Sequence, residues 1–237
     1  MSNNGDPLAQ AAIESIRDGM TVGLGTGRAA SRGIRALASR VREQNWKVIG
    51  VATSRRSAEL AQSLGLGIRP MSEVERVDLL FDGVDELDPT LAMTKGGGGA
   101  MTHERIVADA ADHRIYLMDA SKRVERLGER YPLPVETLEF ARAFVARRLR
   151  ELGLACELRF NRDQNAPERT DEGNLILDCS YGVASAGDLH RLSDEIFRIP
   201  GVIGHGLFVD QADVILIEPE MNAKSGPIER LERSRSS

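Results

Sequence analysis

Three short segments of this sequence hold residue types that could do chemistry. In Gly23-Leu24-Gly25-Thr26-Gly27, small residues between an apolar run and an amphipathic one let backbone N–H groups approach an anion at the positive end of a helix. A tight turn that needs glycine accounts for the same residues equally well. The spacing is not the dinucleotide fingerprint: the third glycine falls two residues after the second rather than three. The segment after the next strand, Thr53-Ser54-Arg55-Arg56, also lacks the acid that would hold a ribose. The loop therefore points to a phosphate or to a turn, and away from a nicotinamide cofactor.

The second segment, Asp82-Gly83-Val84-Asp85-Glu86, follows an apolar strand directly, at the carboxyl end where open α/β sheets bind ligands. Three carboxylates this close repel one another unless a cation or a hydroxyl-rich ligand lies beside them; a solvated loop with an Asx turn is the alternative. The third is Lys95-Gly96-Gly97-Gly98-Gly99-Ala100-Met101-Thr102-His103-Glu104. Successive glycines cost conformational entropy that a plain linker has no need to incur, so close backbone approach to a ligand is the expectation. Glu104, in the first turn of the helix that follows, is either an acid turned back to that ligand or a complement to the helix dipole. His103, His113, His190 and His205 show no metal-ligand spacing, and no Gly-x-Ser-x-Gly elbow occurs, so metal chemistry and serine hydrolysis are not expected.

These segments need elements to hold them, and the first half alternates apolar runs with amphipathic stretches as strands and crossover helices do. The expected elements are a helix over 7–18, a strand at 21–24, a helix at 29–43, a strand at 47–51 and a helix at 54–64. A strand at 77–81, a loop from Asp82 to Gly99, a helix at 100–110 and a strand at 114–118 follow. Two prolines in Tyr131-Pro132-Leu133-Pro134-Val135 place a boundary there. Beyond it the pattern predicts a helix at 136–152, strands at 155–160 and 174–178, a helix at 186–198 and a strand at 206–209. The run Val214-Ile215-Leu216-Ile217 returns to the main sheet, and 222–237 is a polar, frayed tail. The fold class is α/β: a main domain with a parallel sheet over 1–130, rejoined by 206–237, and a small α+β domain over 131–205.

With 237 residues, 41% of them hydrophobic and 28% charged, the chain is long enough to bury a substantial core without staples. A net charge of −5 disfavours phosphate-neutralising nucleic-acid binding. No stretch approaches the roughly 18 apolar residues of a membrane span, and no basic and apolar leader opens the chain. A cytoplasmic location is expected. Cys156 and Cys179 match no zinc or redox spacing and are expected as small buried hydrophobes in a reducing compartment, not as a disulfide.

Taken in order, Gly25-Thr26-Gly27, Asp82 to Glu86, Lys95 to Glu104, Asp119-Ala120-Ser121-Lys122 and Pro132-Leu133-Pro134-Val135-Glu136 resemble type A ribose-5-phosphate isomerase over about 21–217. The resemblance implies a cofactor-free aldose–ketose isomerase of the pentose phosphate pathway, with a Rossmann-like main domain and a homodimeric or homotetrameric assembly. It implies Glu104 as the base between C2 and C1, Lys95 as the oxyanion's partner, and Asp82 and Asp85 on substrate hydroxyls, with Asp82 also serving ring opening. Gly25, Thr26, Gly27, Arg28, Ala29, Gly83, Val84, Gly96, Gly97, Gly98 and Lys122 would bind the phosphosugar, with no metal. Arg28 and Ala29 stand where the family usually offers a serine and a threonine, and residues 1–21 lack the family's first-helix lysine. One guanidinium fork at Arg28 could replace both, or the pocket could take another phosphosugar. A sugar-phosphate-sensing domain is the non-catalytic alternative. It is disfavoured because no helix-turn-helix fits before Thr21 and because Asp82, Lys95 and Glu104 occur together.

Overall fold

The structure, a computed structural model, describes residues 5–181, 188–219 and 226–233. Its helices are α1 (Pro7–Ala12), α2 (Arg28–Gln44), α3 (Arg55–Ser63), α4 (Met101–Asp109), α5 (Arg142–Glu151) and α6 (Leu189–Phe197). Its strands are β1 (Thr21–Leu24), β2 (Ile49–Ala52), β3 (Gly67–Ile68), β4 (Leu79–Gly83), β5 (Glu86–Leu87), β6 (Met93–Thr94) and β7 (Arg114–Asp119). They continue as β8 (Leu133–Thr137), β9 (Leu154–Leu158), β10 (Leu175–Tyr181), β11 (Val202–His205), β12 (Leu207–Phe208), β13 (Val214–Glu218) and β14 (Glu229–Glu232). The chain divides into two compact units, one of 1–84, 103–122 and 211–237, the other of 85–102 and 123–210.

The first unit is built on a sheet in the order β14-β13-β7-β4-β1-β2-β3, parallel throughout except for β14. Strands buried on both faces read as continuous apolar runs, which is why Val22, Leu24, Leu79, Leu80, Phe81, Ile115, Leu117, Val214 and Leu216 all lie in the interior. Local signals set the helix starts. Asp6 caps α1 by accepting from the Ala9 N–H, with Pro7 in the first turn, and Ser54 caps α3 by accepting from the Ser57 N–H. The helix expected over 7–18 stops at Ala12; the chain continues in turns that still bury Ile13 and Ile16. An Arg32 fork ties α2 to Asp6 (2.6 and 2.7 Å) and to Glu218 (2.5 and 2.8 Å).

The second unit holds a four-stranded antiparallel sheet, β11-β8-β10-β9, and a small sheet, β12-β6-β5. Its core includes Leu133, Val135, Val145, Leu149, Leu154, Leu177, Leu192 and Ile196. The helix expected over 136–152 is corrected: 133–137 is the buried strand β8, and α5 starts only at Arg142. The extended preference that proline imposes on its neighbours serves a strand here, and the Pro134 carbonyl accepts from the Gly206 N–H at 2.8 Å. Glu136, buried in β8, accepts hydrogen bonds from Asn174 Nδ2 (2.9 Å) and from the hydroxyls of Thr170 (2.7 Å) and Thr102.

Four further expectations change. The segment 82–99 is not one loop, since β5 and β6 lie within it. The division between units falls at 122/123 and 210/211, and 85–102 belongs with the second unit, because β5 and β6 find their pairing there. Cys156 and Cys179 are joined as a disulfide, as their directly opposed positions on β9 and β10 bring them together. Part of the tail is ordered, since 229–232 form the edge strand β14; 222–225 and 234–237 lie outside the described residues, as do 186 and 187 at the expected start of α6. No helix is long and apolar enough to cross a membrane among the described residues.

Candidate active site

In the first unit, β1 has β2 on one side and β4 on the other, so the chain reverses its direction of sheet growth at β1. Open parallel sheets bind ligands at the carboxyl ends of strands on either side of such a reversal. There the loop 25–27 leaves β1 and Asp82-Gly83 end β4. The two are locked together: the buried Asp82 carboxylate accepts from the N–H groups of Thr26 (2.9 Å) and Gly83 (2.6 Å), and the Gly25 N–H donates to the Phe81 carbonyl (3.0 Å). A Cβ at residue 25 would sit 2.1 Å from Asp82 Oδ1 and 2.5 Å from Asp82 Cα, so only glycine fits.

This lock assigns part of the loop to architecture. The N–H groups of Gly25 and Thr26 donate to the protein itself, and the Thr26 hydroxyl bonds with those of Thr53 and Ser54 at 2.8 Å each. Ser57 extends the network by donating its hydroxyl to the Gly25 carbonyl at 2.7 Å. Sequence reading considered Thr53-Ser54 only for a missing acid; its hydroxyls at the carboxyl end of β2 were the signal that went unused. Gly27, with φ of 102°, begins α2, and Arg28 follows as an exposed first helical residue with Ala29 half-buried behind it. The start of a 17-residue helix beside an arginine suits an anion.

The same unit carries Glu104 and Lys122. Glu104 lies in the first turn of α4 and is 3% exposed. Burial pushes the guanidinium of Arg105, next along that helix, down to about 10, against the opposing influence of Tyr116 and Asp109. The Lys122 ammonium donates to the carbonyl of the buried Val84.

The second unit carries Asp85, Lys95 and the glycine run. Lys95 is 2% exposed; its ammonium stands 5.5 Å from the centre of the Phe208 ring, and its N–H donates to the Gly206 carbonyl at 2.8 Å. A Cβ at residue 206 would fall 2.0 Å from the Lys95 carbonyl oxygen. Half-buried Asp85 accepts from the Gly97 N–H at 2.7 Å, while Gly96 is buried and Gly97 and Gly98 are exposed. Glu86, the third acid of its cluster, is fully buried and accepts from the N–H groups of Gly128 (2.6 Å), Arg130 (2.6 Å) and Tyr131 (3.0 Å). Of the three crowded carboxylates, one therefore holds the β1 loop, one the glycine run and one the 128–131 turn, and each is supplied with N–H donors. Among the described residues, no group of three or more His, Cys, Asp or Glu side chains could hold a metal ion.

The profile of the family described as ribose 5-phosphate isomerase A (phosphoriboisomerase A) matches residues 49–221. The chain belongs to the ribose 5-phosphate isomerase A family. Among its relatives, the ribose-5-phosphate isomerase A of Roseiflexus castenholzii is 45% identical over 210 residues, 88% of each chain. That of Thermomicrobium roseum is 42% identical over 229 residues, 96% of this chain and 93% of the relative. The solved ribose 5-phosphate isomerase A of Methanocaldococcus jannaschii superposes with a TM-score of 0.88 at 36% identity, covering 96% of this chain and 97% of its own. A solved D-ribose-5-phosphate isomerase in complex with phospho-erythronic acid gives 0.87 at 32% identity, covering 95% and 96%. For a ribose 5-phosphate isomerase A, the α/β architecture with a Rossmann-like main sheet and a smaller α+β part is the shared one.

Proposed function

We propose that the protein interconverts D-ribose 5-phosphate and D-ribulose 5-phosphate by proton transfer through an enediolate, without metal or redox cofactor. The observation that carries the mechanism is the burial of its two charged participants: the acid Glu104 and the cation Lys95 are 3% and 2% exposed. A carboxylate and an ammonium withdrawn from bulk water are the two kinds of group that proton abstraction beside a carbonyl and stabilisation of the resulting oxyanion require.

In this reading the Glu104 carboxylate takes the proton from C2 of the open-chain aldose and returns it to C1. The C1 oxygen carries the developing negative charge, and the Lys95 ammonium offsets it, the largest electrostatic demand of the step. Asp82 and Asp85 accept from substrate hydroxyls; Asp82 also serves ring opening and carries the proton from the C2 hydroxyl to the C1 oxygen, so that C2 becomes the carbonyl as C1 is protonated, and Lys122 adds a cation. Gly96 and Gly98 offer backbone N–H groups to the sugar, with Gly97 between them tied to Asp85. The start of α2, with Gly27, Arg28 and Ala29, takes the phosphate, while Gly25, Thr26, Gly83 and Val84 shape its floor. The enzyme works as a homodimer or homotetramer in the cytoplasm, where a sugar phosphate too charged to cross a bilayer is retained.

The test is to treat the purified protein with EDTA, add ribose 5-phosphate and follow ketose formation. Sustained turnover is expected. No ketose, or activity that disappears with chelator and returns with a divalent ion, overturns the proposal; sedimentation velocity at assay concentration decides the assembly.

A further inference from the structure

The four successive glycines 96–99 close a turn of their own, the Gly99 N–H donating to the Gly96 carbonyl at 2.9 Å, and the run is gripped from two further sides within the second unit. On one side Asp85 Oδ2 accepts the Gly97 N–H at 2.7 Å. On the other, a single nitrogen of Arg159, Nη1, donates to the carbonyls of both Gly96 (3.1 Å) and Gly97 (3.3 Å). The rest of that guanidinium is committed to Asp178, with Nε to Oδ2 at 2.8 Å and Nη2 to Oδ1 at 2.5 Å. Arg159 follows β9 and Asp178 lies in β10, neighbouring strands of one antiparallel sheet, and their side chains are 11% and 24% exposed. A bidentate pair of this kind fixes the plane of the guanidinium and so the direction of its remaining N–H groups.

Peptide geometry makes the consequence definite. In a trans peptide the carbonyl and the following N–H point in opposite directions. With the carbonyls of Gly96 and Gly97 both turned to Arg159, the N–H groups of Gly97 and Gly98 are both turned away from it, on the side where Asp85 takes the first of them. We propose that Arg159, braced by Asp178, is a positioning residue for the isomerisation: with the Gly97 N–H held by Asp85, it presets the Gly98 N–H as a donor to an oxygen of the enediolate. This rests on the activity proposed above. A lysine in its place could reach Asp178 or the carbonyls but lacks the planar fork that engages both.

The experiment compares the parent with Arg159→Ala, Arg159→Lys and Asp178→Asn. A misdirected donor weakens the transition state more than the ground state, so Arg159→Ala should lower kcat by about 30- to 100-fold while KM changes less than about threefold. Arg159→Lys and Asp178→Asn should each lose roughly 10-fold in kcat. Two inhibitors separate positioning from general damage. Phospho-erythronic acid, whose planar carboxylate resembles the enediolate, should lose affinity in step with kcat/KM, whereas inorganic phosphate should bind as it does to the parent. An unchanged kcat in a folded variant, or equal losses for both inhibitors, overturns the role of Arg159. If Arg159→Ala does not fold, the other two variants decide by the same criteria. A parent that makes no ketose defeats the activity itself, and the role with it; an active parent with active variants defeats only the role.

Discussion

Replacing Glu86 by glutamine exchanges a single heavy atom of a buried side chain and should cost a large part of the stability of the second unit. Its two oxygens accept three backbone N–H bonds, Oε1 from Arg130 (2.6 Å) and Tyr131 (3.0 Å), Oε2 from Gly128 (2.6 Å). The best glutamine rotamer keeps its carbonyl oxygen where Oε1 was, so two bonds persist without the charge, at a loss of about 1 kcal/mol each. Its amide group then faces the Gly128 N–H, donor against donor, and stranding that buried donor costs about 1–3 kcal/mol. The sum, about 3–5 kcal/mol, is a substantial share of the 5–15 kcal/mol typical of a folded domain. Glu86→Ala strands all three donors and should cost at least as much. Urea unfolding followed by circular dichroism reads this as a lower midpoint at similar slope, and limited proteolysis should cut first within 124–131. A loss below about 1 kcal/mol for glutamine would mean that charge at residue 86 does not anchor the turn, and the reasoning would fail.

Glu104→Gln should lower kcat by at least about 100-fold with KM little changed and the circular dichroism spectrum intact; parent-like turnover would reduce Glu104 to a helix-terminal acid. Arg28→Ala should raise KM for the phosphosugar by roughly 10- to 100-fold, alter kcat less and weaken phosphate inhibition in parallel; if neither KM nor inhibition moves, Arg28 is outside the binding site. Burial acts to raise the Asp6 carboxyl, but the Arg32 hydrogen bonds, the Ala9 N–H and the Arg32 charge outweigh it and leave it below its ordinary 3.8. A depressed carboxyl contributes stability that is present above its unfolded pKa and lost as pH falls through its folded one. The stability gap between parent and Arg32→Met should therefore be steady from about pH 5 to 7 and narrow below about pH 4. Denaturant melts across that range check it, and a gap that is flat to pH 2 refutes the assignment.

The main sheet was legible because its information is local: strands buried on both faces are unbroken apolar runs, and 22–24, 79–81, 115–118 and 214–217 read as such. The second unit was read less well because its decisive contacts are distant. Glu136 looks like a helix opener beside prolines until Thr102, Thr170 and Asn174 are known to donate to it. Two-residue strands such as β5 and β6 have no period to detect, and the pairing of Cys156 with Cys179 depends on the register of β9 against β10. At the site, the acids and glycines announced themselves by composition. Arg159 lies 63 residues from Gly96 and stands in no motif, so nothing in its neighbourhood announced it.

Pro134 gives the smaller sheet an unusual property. At every second position of an antiparallel pair the opposed residues exchange two hydrogen bonds, and Gly206 already donates one to the Pro134 carbonyl. The return bond cannot form, because proline has no N–H, so the Gly206 carbonyl is left to another donor, and the N–H of Lys95 takes it at 2.8 Å. The imino acid thus opens a socket in the ladder into which the backbone of Lys95 plugs, and the absent side chain of Gly206 lets it come close enough. Alanine at 134 would bring back a rival donor for that one oxygen, setting the sheet's own completeness against the seating of Lys95.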